Sequence, residues 1–508
     1  MKTRRGTSLQ GGSRVRRHGI FSGLDARKTC QSTSLWARQH HTALVLQTKA
    51  TYFMRKFSLS RGLVVVGLCA FSSLCLAQGG ANRGGRTGQE QGQAAVDEFG
   101  RPLTGQIGQG LEPFDSVLSP LLQKYDIAGC VVSVLDNDKP VMTRGYGWAN
   151  REAKVPMSPD SLFRIGALSK PITSAAILLL VQDGKLTLDT PVFDVLKGLA
   201  PLDGGTPDAR LGKITIRHLL QHSGGWDAGA SFDPFDKLGQ IATAAKQPAP
   251  PDSDAIIRYM MGQPLQFDPG TKAVYSNFGY LLLGRVIEKI SGIGYEDFVN
   301  AKLLNPIGTQ TFRLGATRAQ ERDASEVKYY DFKGAPSATS LFDGNLAARP
   351  DGSLGLESRG ASDGWVCSAP DYLRFLSAVD AVPDVPDVLS PDAVIEMVRR
   401  PDYGLKDATY YGLGWRVSPT RPYDPKYPNS NHKGEVYGNW WAEGALPGTS
   451  SFAARDASGH AVVVLFNSHP QDEKSWSNDL ATAIDTALTQ SQWTNQNGQN
   501  PDGNAEAR

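Results

Sequence analysis

The chain is poor in the residue types from which metal centres and disulfide frameworks are built. Of 508 residues, five are cysteine and eight are histidine, and both are scattered. Neither CxxC nor HExxH occurs, so no metal site and no cofactor is expected. Cys30, Cys69 and Cys75 lie close to the N-terminus, which leaves Cys130 and Cys367. Isolated in apolar stretches, these two read as buried thiols rather than a bridge. Basic charge is also scarce beyond the start of the chain. Residues 1–61 carry 13 Lys and Arg against Asp25 alone, and the remainder carries 40 basic and 50 acidic residues, a net of −10. With no basic stripe to meet a phosphate backbone, nucleic acid is not an expected partner. No internal repeat is present. The 40% hydrophobic and 20% charged composition is that of an ordinary globular protein.

The chain divides by composition. Residues 1–53 bury nothing and read as a misassigned or disordered extension, with Met54 as the true start. Residues 54–77 open on basic residues and continue as GLVVVGLCAFSSLCLA, an apolar run too short to span a bilayer, ending in the small-x-small Cys75-Leu-Ala77. This is the pattern of a signal peptide. It predicts an exported protein, periplasmic or secreted, with no membrane attachment after cleavage. Residues 78–110 are rich in Gly and Gln and read as a flexible linker, 111–489 as the folded domain, and 490–508 as a tail too polar to pack.

Within the domain, Phe114, Val117, Leu118, Leu121 and Leu122 recur at helical spacing, and AGCVVSVLD and KPVMTRGYGWAN read as two strands joined at Asn137-Asp138. From Thr187 to about Gly315 the apolar pattern is helical, and 320–365 carries no clear element. SAPDYLRFLSAVD and SPDAVIEMVRR read as helices, YGLGWRV, SSFAARDAS and HAVVVLFNS as strands, and EKSWSNDLATAIDTALTQ as a closing helix. Late strands need early ones as partners. The expected fold is α/β of the α+β type: an antiparallel sheet flanked by helices, with a largely helical insertion.

The chemistry centres on Lys170, at the head of the apolar helix ITSAAILLLVQ. A buried lysine is costly and so is usually functional. Three residues earlier, on the same helical face, a lysine-activated hydroxyl would be expected, but Ala167 stands there. Ser169 does not replace it, because adjacent residues point about 100° apart on a helix; it reads as a surface hydroxyl.

FRIGALSKP, AVYSNFGYLLLG and WWAEGALPGTSS, in this order and spacing, resemble the three motifs of the serine β-lactamase and penicillin-binding-protein superfamily. LLQHSGGWD, YGLGWRV and SAPDYLRFL extend the resemblance to the class C and esterase-like branch, over roughly residues 112–489. The resemblance implies a transpeptidase-like fold and a nucleophile at 167, which is lost. It implies that Lys170 and Tyr275 handle protons, that Asn277 holds a substrate amide, and that the backbone N–H groups of Ala167 and Ala445 form an oxyanion hole. In the third motif, Ala442-Glu443-Gly444, the usual cation is replaced by Ala442, and Glu443 disfavours an anionic ligand unless it points away. Gly360-Ala-Ser-Asp-Gly364 fits GxSxG by chance, since no strand signal precedes it, and His222 reads as a structural loop residue. The expectation is a catalytically dead or impaired member that uses its cleft to bind a small-molecule or peptide-like ligand. The alternative is an active β-lactamase, D-amino-acid peptidase or carboxylesterase with a non-standard nucleophile.

Overall fold

The computed structural model describes residues 95–380, 387–403, 408–419 and 438–493. The expected extension, the signal segment and residues 494–508 lie outside these. No described helix is long and apolar enough to cross a membrane.

The core is an antiparallel sheet of β1 (Leu103–Gln106), β2 (Gly129–Asp136), β3 (Lys139–Asn150), β4 (Tyr410–Tyr411), β5 (Arg416–Ser418), β6 (Asn439–Leu446), β7 (Thr449–Arg455) and β8 (His460–Phe466). Their spatial order is β1-β3-β2-β8-β7-β6-β5-β4, with Val155–Pro156 pairing off β3. The first strands thus pair with the last, as the sequence predicts. Asn137 and Asp138 adopt φ of 46° and 60°, the left-handed pair that a two-residue hairpin turn requires and that their short polar side chains tolerate.

β2 and β8 are buried on both faces, and strand alternation divides their side chains between two cores. Val132, Val134, Phe452, Val462 and Val464 pack under α1 (Pro113–Lys124) and the C-terminal helix, through Phe114, Leu118, Trp476 and Leu480. On the other face Val131, Ala453, Val463 and Leu465 join the larger core, which holds α2 (Ser169–Gln182) and α3 (Asn277–Ser291). Apolar on every side, α2 is buried along nearly its whole length, which fixes Lys170 at its head. The segment between α2 and Leu314 is mainly helical, as expected.

Two expectations are corrected at their edges. Residues 103–106, assigned to the linker 78–110, form edge strand β1, with Leu103 opposite Tyr146. Only Leu103 of LTGQ packs against the core, and the backbone ladder holds the rest, so apolar patterning carries little sign of it. At the other end, the helix Glu473–Gln490 ends where predicted, but Trp493 in the expected tail stacks on His460 at 3.9 Å between ring centres.

Candidate active site

Gly166–Leu168 form a single 3-10 turn that runs into α2. Three residues per turn places position 167 above position 170, so Ala167 presents a methyl group to the cleft where the lysine's hydroxyl partner would stand. Lys170 is 2% exposed. Its ammonium donates to Asp363 Oδ1 at 2.8 Å and to the Ser362 carbonyl at 3.2 Å. It meets Tyr275 through the ring face, 4.8 Å from the centroid, with Tyr280 at 5.7 Å.

Asp363 ends the one-turn helix α4 (Gly360–Asp363). Its other oxygen, Oδ2, accepts from Ser362 Oγ at 3.0 Å and faces Arg359 Nη1 at 3.4 Å. Burial alone would raise this carboxyl's pKa, but the charges of Lys170 and Arg359 outweigh burial and hold it below the ordinary range. Burial lowers the Lys170 pKa, and the Asp363 charge is the largest influence opposing it.

Tyr275 lines the cleft, and burial followed by the Asp363 charge pushes its phenol well up, so the ring stays neutral. Asn277 is the first residue of α3, whose cap is Ser276 accepting from the Gly279 N–H. The Asn277 amide donates to Asp233 Oδ2 at 2.8 Å, and its oxygen accepts from Ser362 Oγ at 3.3 Å. His222, at φ 56°, is structural. Its Nδ1 accepts from the Ser276 N–H, and its ring lies 4.5 Å from Tyr275 and 4.9 Å from Tyr411. Burial, then the nearby Lys170 charge, depresses its pKa.

Gly444 carries the third motif against the 165–167 turn. A Cβ there would come within 2.9 Å of the Ala167 nitrogen and would collide with the Ile165 carbonyl and Ser451 Oγ, so only glycine permits this approach. A Cβ on Gly166 would meet the Ala445 nitrogen at 3.2 Å, which brings the two expected oxyanion-hole segments side by side. Ala442 joins the larger core, whereas Glu443, on the opposite face, is exposed and lines the cleft. Arg416, stacked 5.1 Å from the Tyr411 ring and with Glu443 and Tyr275 among its electrostatic neighbours, puts a cation on the flank of this strand. Among the described residues β5 pairs with β6 only as far as Trp441, so residues 442–446 have no strand on that side.

The cleft has a volume of about 310 Å³ and brings together Ala167, Tyr275, Asn277, Glu443, Gly444 and Ala445. The cleft lining also holds a second cluster: Ser450 Oγ, which donates to the Ser468 carbonyl at 3.1 Å, lies 3.4 Å from His469 Nδ1, and His469 Nε2 lies 2.9 Å from Glu473 Oε1. Sequence reasoning missed three residues in the site: Asp363 and Ser450, which lie inside quoted stretches without being singled out, and His469, which no motif announces. Ser362 of the GxSxG match is wholly buried with no strand leading into it, so it is no nucleophile elbow. Ser169 is a correction: it is fully buried, accepting from the Trp365 N–H at 3.2 Å, because α2 has no solvent face. No group of three or more His, Cys, Asp or Glu that could hold a metal occurs among the described residues.

An antiparallel sheet, a helical insertion and a lysine-headed buried helix at their junction define a transpeptidase-like fold. The sequence profile of the Beta-lactamase family matches residues 114–484, and the chain belongs to that family. It is 30% identical over 353 residues to Esterase EstB of Burkholderia gladioli, covering 64% of this chain and 85% of the esterase. It is 27% identical to Penicillin-binding protein 4* of Bacillus subtilis, covering 73% of this chain and 75% of that protein. The D-amino acid amidase from Ochrobactrum anthropi SV3 shares the fold, with a TM-score of 0.57 at 22% identity over 74% of this chain and 98% of the amidase.

Proposed function

We propose that this is an exported β-lactamase-like protein that is disarmed for acyl transfer and uses its cleft to bind a small-molecule or peptide-like ligand. The observation that carries the reading is Ala167, half-buried at the cleft wall in the position that faces Lys170. In serine hydrolases, loss of the nucleophile costs on the order of a millionfold in turnover, while hole and binding site retain roughly a thousandfold over water. What remains here, Tyr275, Asn277 and the close approach of strand β6 to the 165–167 turn, serves recognition. Export rests on the signal-like segment 54–77. The test is exposure of the purified protein to a fluorescent penicillin and a fluorophosphonate. The expected result is no covalent label, and a label that survives denaturation would end the reading.

A second reading, an active hydrolase with a displaced nucleophile, is favoured by the Ser450–His469–Glu473 cluster. There Ser450 Oγ would attack an acyl carbon and pass its proton to His469, which returns it to the leaving group as the acyl bond to that group breaks, while Glu473 balances the transient imidazolium. Labelling that disappears in Ser450→Ala would establish it.

A further inference from the structure

Lys170 is spoken for. In a lysine-activated hydrolase the amine must be neutral to take the hydroxyl's proton, and burial without a counter-ion favours the neutral form. Here a carboxylate stands 2.8 Å from the amine, itself buried and held ionised by a second cation, Arg359, at 3.4 Å. The Ser362 carbonyl accepts a further hydrogen bond from the lysine. Each of these contacts favours the ammonium, which has no lone pair to offer.

Resting on the disarmed reading above, we infer that Asp363 is a second, independent block on acyl transfer, a positioning residue that holds Lys170 as an ion-paired ammonium, so that a serine restored at 167 would still lack its base. The geometry makes the block separable from the missing hydroxyl. Ala167 belongs to the 3-10 turn before α2, whereas Asp363 comes from α4, and both reach the same cleft. The other groups that face the lysine do not duplicate the carboxylate. Tyr275 and Tyr280 present ring faces, His222 is neutral, and Asp233 is engaged by the Asn277 amide. Among them Asp363 is the largest charge favouring the protonated lysine.

The experiment uses the full chain in four forms: wild type, Ala167→Ser, Ala167→Ser with Asp363→Asn, and Ala167→Ser with Asp363→Glu. Covalent labelling by a fluorophosphonate is timed between about pH 6 and pH 10. The expected result is slow labelling of Ala167→Ser at neutral pH, accelerated about a hundredfold in the Asn double variant, the scale of general-base assistance. The Asn substitution should also move the half-maximal rate to lower pH. The Glu double variant, which keeps the charge, should stay as slow as Ala167→Ser alone. Equal rates for Ala167→Ser and the Asn double variant would overturn the inference, and so would a silent Asn double variant that retains the wild-type circular dichroism. Should the Asn variant not fold, the pH profile of Ala167→Ser decides. A rate that climbs into the alkaline range supports the block, and a flat profile overturns it. Labelling of the wild type would instead overturn the disarmed reading, leaving the comparison of the serine variants as the test of Asp363.

Discussion

The ammonium of Lys170 and the carboxylate of Asp363 meet at 2.8 Å in the interior, 2% and 5% exposed at their side chains. A buried pair of this kind gains little over an apolar pair of the same volume, but losing one partner strands the other. Lys170→Met or Asp363→Ala alone should therefore cost about 3–5 kcal/mol in chemical denaturation, and the two together less than the sum. Additive losses would show that the pair is not coupled.

The same carboxyl sets an acid limb. Its folded pKa lies below the unfolded value of about 4. The ionised form thus stabilises the fold above that value, and the contribution is lost as pH falls through the lower folded value. The denaturation midpoint of the wild type should fall more steeply than that of Asp363→Asn as pH drops below about 4. Parallel curves would remove Asp363 from the acid response.

Tyr295 ties α2 to the strand Trp365–Cys367. Its hydroxyl lies 2.6 Å from Thr173 Oγ1 and accepts from Trp365 Nε1 at 2.9 Å, all three residues being buried. Tyr295→Phe leaves the indole N–H without this partner and should destabilise by about 1–3 kcal/mol, measured as the shift in urea midpoint at constant slope.

Gly444→Val would drive a branched side chain into the backbone of residues 165–167. Overpacking of this kind costs about 1–3 kcal/mol. Because the wall that moves is the cleft wall, ligand affinity should fall in the same variant. Calorimetry with a ligand found for the wild type would check this, while Gly184→Ala, at a surface turn with open space around it, should leave affinity unchanged.

Legibility of the sequence followed distance along the chain. The hairpin at Asn137-Asp138 and the helix Glu473–Gln490 were readable because their signals are local: turn residues in one case, apolar spacing in the other. The three motifs were readable because each is a short run. Asp363 was not, since it lies 193 residues from Lys170 and sits in a stretch without apolar period. Ser450 and Glu473 flank His469 only because β7 and β8 pair and the chain then turns into the last helix. Strand β1 was hidden for another reason. Apart from Leu103, which packs on the smaller core, its LTGQ is kept in place by ladder hydrogen bonds, which any residue but proline can make.

From Ala442 to Leu446, β6 pairs with β7 on one side, and among the described residues no strand pairs with it on the other. On that open edge the peptide N–H and C=O groups stand at a strand's fixed spacing, whatever side chains positions 167 and 442 carry. An extended peptide laid along that margin would be read by main chain against main chain.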